Sequence, residues 1–192
     1  MSMLVIGLLL FLGVHSVRIV ADPWRHAMRA GLGAGPWKGL YSLLSLVGLV
    51  LIVMGYGAAR QAPVVLWDPP TAMRHVASLL TLVSFVLLAA AYVPGNGIKS
   101  RVHHPMAAGV KVWALAHLLA NGSLADLLLF GSFLAWAVAS FIAARRRDRQ
   151  EGTRYRAGSL GGTLVTVGVG LGAWAGFAFW AHEMLIGVRP FG

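Results

Sequence analysis

The sequence predicts an all-α protein, a polytopic membrane bundle of about six transmembrane helices in a single domain covering residues 1–192. Of these residues 58% are hydrophobic and only 11% are charged, whereas water-soluble domains carry about 25% charged residues. Six apolar segments follow one another, and a membrane-spanning helix needs roughly 20 apolar residues. The basic residues also favour alternate connections. Together these three observations predict the fold class.

The first three segments are each bounded by residues that end helices. The first runs from about residue 3 to 20 and stops at Asp22-Pro23. Because no basic region precedes it and no small-residue cleavage site follows, we expect it to be a retained span. A Gly/Pro-rich connection leads to the second segment, 37–58, and the third covers 71–93 between two proline-containing turns.

The last three segments include the shortest and the most glycine-rich. The fourth, 105–120, is short for a span and is joined by Asn121-Gly122-Ser123 to the fifth, 124–144. The sixth covers 160–182, with six glycines in it. Small residues let membrane helices approach closely, so we expect tight helix crossings.

The formal net charge of +10 lies mainly in the connections. The loop 145–156 contains six arginines, namely Arg145, Arg146, Arg147, Arg149, Arg154 and Arg156. A basic loop beside a span sets topology and attracts anionic lipid headgroups, whereas nucleic-acid binding needs a basic face on a folded surface. The positive-inside rule therefore predicts a multi-pass protein of the cell inner membrane, with this loop cytoplasmic and both termini outside. The lipid bilayer is its expected partner, and nucleic acid is not.

The chain has no cysteine. This excludes disulfides, thiolate haem ligands, cysteine-based zinc sites and covalent C-x-x-C-H haem attachment. The phosphate-binding loop, the nucleophile elbow and the H-E-x-x-H zinc motif are also missing from the sequence.

The fourth segment carries polar residues that lipid-facing packing does not explain. Such residues at membrane depth are costly and usually face a bundle interior or a cavity. Trp113, His117 and Asn121 share one helix face at i, i+4 and i+8, so Trp113 and Asn121 are candidate cofactor-binding neighbours of His117. His104 lies about 220° around the helix from His117 and instead shares a face with Lys111.

His15 in the first segment is the second candidate ligand. A neutral imidazole in an apolar bundle suits a metal or haem iron, and Arg18 one turn away matches a haem propionate. The alternative for both histidines is a hydrogen bond to a neighbouring carbonyl that fixes helix contacts. His15 lies about 7–8 Å from the end of its helix and His117 about 18 Å from Pro105. The two are therefore expected to share one iron only if the bilayer begins near Lys111.

Four further polar residues have two interpretations each. Asp126 is predicted either to accept a hydrogen bond from His117 or to sit at the positive end of the fifth helix. His75 and His182-Glu183 are candidate ligands for a metal such as zinc on the outer side. Interfacial histidines and glutamates are also ordinary there.

Several motifs occur together in this chain. They are His15-Ser16, His104-Pro105-Met106, Gly109, Trp113-Ala114-Leu115-Ala116-His117, Asn121-Gly122, Leu128-Leu129-Phe130-Gly131-Ser132-Phe133 and Gly187-Val188-Arg189-Pro190-Phe191. In these motifs, and over essentially its whole length, the chain resembles the NnrU family of membrane proteins. That resemblance implies a role in the denitrification metabolism of nitrite and nitric oxide.

The family also includes 15-cis-zeta-carotene isomerase, which this chain resembles at His15-Ser16 and in the block ending at His117. The resemblance implies haem b, with His15 and His117 as axial ligands of the iron, and haem-dependent cis–trans isomerisation of a hydrophobic polyene. The isomerase has a cysteine three residues before its second histidine, where this chain has Ala114.

Two other functions remain open at this stage. One is a non-enzymatic membrane protein that supports assembly of a respiratory reductase, with the histidines as packing groups. The other is methyltransferase-like chemistry, because residues 103–109 resemble part of an S-adenosylmethionine pattern in membrane methyltransferases. Of that pattern the chain keeps Pro105 and Gly109 and lacks the arginine and the tyrosine.

Overall fold

The structure, a computed structural model, describes residues 1–191 and consists of helices and short connections. In chain order these are α1 (Ser2–Val20), α2 (Asp22–Leu32), α3 (Ala34–Ala59), α4 (Ala72–Tyr92), α5 (Gly97–Val102), α6 (Pro105–Ala120), α7 (Leu124–Glu151), α8 (Leu160–Gly176), a π-helical turn (Phe177–Ala181) and α9 (His182–Ile186). Within residues 1–191, five helical segments are long and apolar enough to cross a membrane, and α6 is a shorter apolar helix. The predicted all-helical membrane fold, with about six spans, is confirmed.

The helix ends follow from local chemistry. α6 begins at Pro105, where the missing N–H costs nothing in a first turn, and its C-cap is Asn121. α7 continues past the apolar segment to Glu151, because arginine is a good helix former. It ends where Gly152 adopts a left-handed conformation with φ 60°, which favours glycine.

Helix α2 lies where the sequence predicted only a connection. Pro23 follows Asp22 in its first turn, and the Asp22 carboxylate accepts a hydrogen bond from Arg25 at 3.2 Å. Trp24 of α2 packs edge-on against Trp37 of α3, with ring centroids 6.0 Å apart. The Asp-Pro pair therefore starts a short amphipathic helix as well as ending α1.

Glycines allow α1 and α3 to cross at backbone contact. A Cβ atom at Gly55 would lie 2.3 Å from the Leu4 nitrogen, and one at Gly7 would lie 2.6 Å from the Ile52 nitrogen. In the other half of the bundle, a Cβ atom at Gly170 of α8 would lie 2.6 Å from a backbone atom of α4. The predicted tight crossings are confirmed.

The first, third and fifth connections meet at one end of the bundle, which we call the basic end. Arg147 of α7 donates to the carbonyl of Arg18 in the last turn of α1 at 3.3 Å. The third connection contacts the start of α8, where the Gly97 amide donates to the Thr163 hydroxyl at 2.9 Å. The alternation of basic connections thus corresponds to one physical end of the molecule.

The second and fourth connections meet at the opposite end. The Leu66 amide donates to the Gly122 carbonyl at 2.8 Å, and Arg60 donates to the carbonyl of Ile186 in α9 at 2.8 Å. A cluster of buried hydrophobic side chains from α1, α3, α6 and α7 holds this half together, including Leu4, Leu8, Ile52, Leu129 and Phe130.

Candidate functional site

His15 lies half-buried between α1, α3 and α7, surrounded by aromatic rings. Its ring stacks on Phe11 at 4.2 Å and meets the edges of Tyr41 at 5.2 Å and Trp136 at 6.1 Å. Its Nδ1 lies 2.7 Å from the Phe11 carbonyl oxygen. Because a carbonyl only accepts, Nδ1 carries the proton and Nε2 keeps a lone pair. The Nε2 atom is therefore available as a ligand.

Trp136 beside His15 carries an unmatched polar atom. Its indole Nε1 is buried and has no hydrogen-bond partner within residues 1–191. Buried polar groups in proteins nearly always have a hydrogen-bond partner. The indole N–H of Trp136 lacks such an acceptor among residues 1–191. The sequence patterns did not single out Trp136. Its position three residues after Phe133 on the same helix was the one feature that could have indicated it.

His117 is held in the same way on α6. Its Nδ1 lies 2.9 Å from the Trp113 carbonyl oxygen, which again leaves Nε2 free. Its ring stacks on Phe130 at 4.6 Å and lies 5.1 Å from the Trp113 ring, so the predicted shared face of Trp113 and His117 is confirmed. The Asn121 amide donates to the His117 carbonyl at 2.9 Å, which makes Asn121 a cap for α6 and not a partner of the imidazole.

The structure does not bring the two histidine rings together. Phe11 contacts Phe133 at 5.8 Å, and Phe133 contacts Trp113 at 5.6 Å, so a series of ring contacts links the surroundings of His15 to those of His117. The neighbours of the two histidines on α7, Trp136 and Phe130, are six residues apart, which is about 9 Å along the helix.

This arrangement can be tested against the haem b that the resemblance implies. The free Nε2 atoms and the unpaired indole N–H fit such a group. His15 on α1 and His117 on α6 each keep the free Nε2 atom that a metal ligand requires. Their sharing of one iron stays a prediction.

Arg18 lies in the last turn of α1, at the basic end, one turn after His15 as the helical spacing predicted. It lines a cavity with Arg146 and Arg147, between α1 and α7. Its role in binding a cofactor stays a prediction.

Asp126 caps α7 and does not contact His117. Its carboxylate accepts from the amide and the hydroxyl of Ser123 at 3.0 and 2.6 Å, and the Tyr56 hydroxyl donates to it at 2.5 Å. Of the two interpretations of Asp126, the first-turn position is confirmed and the hydrogen bond from His117 is wrong. The reason is that the i−4 carbonyl of Trp113 already occupies the donor of the imidazole.

The outer metal site is also not formed. His182 Nδ1 donates to the Val188 carbonyl at 2.7 Å, and Glu183 pairs with Arg189 at 2.7 Å. Throughout residues 1–191, no three His, Asp or Glu side chains are close enough together to hold a metal ion. Local hydrogen bonds therefore account for His182 and Glu183, and His75 remains an exposed residue near the start of α4.

An apolar cavity of about 370 Å³ lies beside His15 between α1, α2 and α3. Gly13 leaves room for it on α1, while Trp24, Trp37 and Tyr41 form part of its wall. Tyr41 is also the ring that meets His15 edge-on. The cavity gives an apolar chain a place to lie one aromatic ring away from the imidazole.

His103 and His104 belong to a separate polar cluster at the basic end. Asp148 accepts from His104 Nε2 at 2.8 Å and from the Tyr155 hydroxyl at 3.0 Å, while His103 stacks on Tyr155 and contacts Arg145. Burial and the hydrogen bond to Asp148 raise the pKa of Tyr155. His103 has φ 67°, a conformation that side chains other than glycine rarely adopt.

The predicted common face of His104 and Lys111 is confirmed, because both meet the ring of Phe141. The His104 and Phe141 rings are 6.1 Å apart, and the Lys111 ammonium lies 4.5 Å from the Phe141 centroid. His104 is therefore tied to the basic end, whereas His117 faces the other half of the bundle.

The fold and these residues define a class: a polytopic helical membrane protein with two ligand-competent histidines set among aromatic rings. The family model described as NnrU protein matches residues 3–190. The chain therefore belongs to the NnrU family, as its motifs predicted. No curated protein and no solved structure matches the chain significantly.

Proposed function

We propose that this NnrU protein binds haem b inside its helix bundle and that His15 supplies a ligand to the iron. The observation that carries the proposal is the pairing of a free His15 Nε2 with the unpaired Trp136 indole N–H beside it. An unmatched buried donor costs about 1–3 kcal/mol. An acceptor on a bound cofactor would remove that cost.

Residues around His15 would prepare it for ligation. The Phe11 carbonyl fixes the Nδ1–H tautomer, which directs the Nε2 lone pair outward. The rings of Phe11, Tyr41 and Trp136 limit the rotation of the imidazole and exclude water from it. Haem bound here would supply an iron centre for redox or ligand-binding chemistry.

A stricter form of the proposal adds His117 as the second ligand of the iron. The support for it is that His117, like His15, keeps a free Nε2 atom among aromatic rings. Spectra of single-histidine variants separate the two forms.

The test is to express the protein with added haem, purify it, and record oxidised and reduced absorption spectra. We expect a Soret band in the wild type, loss of the band in His15→Gln, and an unchanged band in His26→Gln, which alters an exposed histidine on α2. If His117 is the second ligand, His117→Gln keeps pigment and changes its spin state. A wild type without a Soret band, or a His15→Gln variant with a normal one, would refute haem binding at His15. Circular dichroism confirms that each variant is folded.

For the biological role we propose nitrogen-oxide metabolism, as the family resemblance implies. A deletion strain should lose nitrite or nitric oxide consumption, and the wild-type gene should restore it. If His15→Gln restores it equally well, the protein acts as a non-enzymatic support for a reductase.

A second candidate, isomerisation of a cis-polyene, is favoured by the apolar cavity next to His15. Incubating the reduced, haem-loaded protein with a cis-polyene in detergent and separating the isomers by chromatography tests it. We expect a trans product that is lost when Gly13→Leu fills the cavity, while the Soret band is retained. No product from the wild type would remove this candidate.

A further inference from the structure

A second cavity, of about 270 Å³, lies at the basic end between the last turn of α1, the start of α2 and α7. From α7 it is lined by Ala143, Arg146, Arg147 and Gln150, which are spaced i, i+3, i+4 and i+7 and so share one helix face. The opposite wall includes Arg18. Three arginines from two helices therefore line one space.

The chain itself neutralises only part of this charge. The one carboxylate in the lining is Asp22, which already accepts from Arg25 at 3.2 Å and lies 3.7 Å from His26 Nε2. Arg147 donates to the Arg18 carbonyl at the end of α1, where the helix dipole supplies about half a negative charge. Among residues 1–191, Arg18 and Arg146 have no carboxylate within ion-pair distance.

Three arginines and one carboxylate give the lining a net positive charge, so the cavity favours an anionic occupant. The guanidinium fork matches phosphate oxygens in a bidentate manner. The cavity lies where the apolar part of α7 gives way to its arginines, and Ile19 and Ala143 add apolar surface to its wall. Basic pockets between helices at this level bind anionic lipid headgroups.

We propose that this cavity binds the phosphate of one anionic phospholipid, held by Arg18, Arg146 and Arg147. Its acyl chains would run along the adjoining apolar surfaces of α1 and α7. A zwitterionic lipid is disfavoured, because its cationic group would add a positive charge to three others. The site is independent of haem binding.

The test compares melting temperatures of the purified full-length protein in nanodiscs of phosphatidylcholine with and without phosphatidylglycerol. We expect phosphatidylglycerol to raise the melting temperature of the wild type by several degrees. Arg146→Gln/Arg147→Gln should lose most of that increase. Arg149→Gln/Arg154→Gln removes the same charge from residues outside the cavity and should retain it. Equal loss in both double variants would mean general surface attraction and would overturn the site.

Two further measurements keep the proposal falsifiable. Arg146→Lys/Arg147→Lys keeps the positive charge but lacks the guanidinium fork, so we expect an intermediate increase in melting temperature with phosphatidylglycerol. This variant replaces Arg146→Gln/Arg147→Gln if the latter does not fold. Inorganic phosphate at millimolar concentration should not stabilise the wild type in phosphatidylcholine. If it reproduces the whole increase and the cavity variant abolishes it, the site takes soluble phosphate and the lipid assignment is wrong.

Discussion

At the scale of single residues, the hydrogen bonds of His15 and His117 confirm the packing interpretation, while iron ligation stays a prediction. Each histidine donates Nδ1–H to a carbonyl one turn earlier, which is the packing interpretation. That same bond fixes the tautomer and leaves Nε2 without a proton, which is what a metal ligand requires. A structural hydrogen bond and competence to ligate iron are therefore compatible.

The unpaired indole of Trp136 leads to the first prediction. Trp136→Phe removes the N–H and keeps most of the ring, so in haem-free protein we expect unchanged or higher stability, by up to about 1–3 kcal/mol. In haem-loaded protein the same variant should release haem faster, because an acceptor on the cofactor loses its donor. Thermal unfolding and transfer of haem to apomyoglobin measure the two effects.

Trp180→Phe is the matched control, since Trp180 is 72% exposed and distant in sequence from this region. A clear loss of stability in haem-free Trp136→Phe would contradict the expectation that the unpaired indole N–H is a net cost.

At the scale of elements, the crossing of α1 and α3 depends on backbone contact at glycines. Gly55→Ala puts a methyl group where the Leu4 backbone now lies, and overpacking of this kind costs about 1–3 kcal/mol. We expect a melting temperature lower by several degrees. Gly57→Ala, two residues later, meets open space and should leave the melting temperature equal or higher, because alanine favours the helix. Equal effects of both variants would contradict the tight crossing.

The basic end is joined by the cluster around Asp148, which links α6, α7 and the loop before α8. Burial by itself would raise the pKa of Asp148, but the hydrogen bonds from His104 and Tyr155 outweigh burial and hold its pKa below the ordinary value. A carboxyl group with a lowered pKa in the folded state stabilises the protein above its ordinary pKa of about 3.9. That contribution is lost as the pH falls through the lowered value.

The third prediction follows from the lowered pKa of Asp148. Asp148→Asn should destabilise the protein by about 1–2 kcal/mol at pH 7, and the difference from wild type should shrink as the pH falls below about 4. Thermal unfolding in detergent at pH 7, 5 and 3.5 measures it. Asp68→Asn changes an exposed carboxylate and should show no such pattern. A difference that grows in acid would contradict the assigned direction.

At the scale of the whole molecule, the absence of cysteine makes topology directly measurable. Thr153→Cys places a single thiol at the basic end, and Gln61→Cys places one at the opposite end; both positions are exposed. By the positive-inside rule we expect an impermeant maleimide to label Gln61→Cys in intact cells and Thr153→Cys only after permeabilisation. The reverse pattern would invert the orientation, and labelling of both from one side would contradict the arrangement of connections.

Sequence patterns predicted most of the fold and, in the candidate site, the shared helix face of Trp113 and His117. The six apolar segments became helices, with α6 bounded as predicted, because span length and proline or glycine boundaries are local properties. Helix α2 was missed, since a short amphipathic helix has no apolar run. Trp136 was missed because nothing local marks a donor that loses its partner on burial.

By itself, the sequence determined that the chain is a helical membrane protein of the NnrU family, that its basic connections alternate, and that Trp113 and His117 share a face. These depend on composition, spacing along one helix and motif. Only the tertiary structure showed that ring contacts through Phe11, Phe133 and Trp113 link the surroundings of His15 and His117. It also brought Arg18 beside Arg146 and Arg147. The physical reason is that the distance between side chains on different helices depends on how those helices pack, and both α1 and α6 pack against α7.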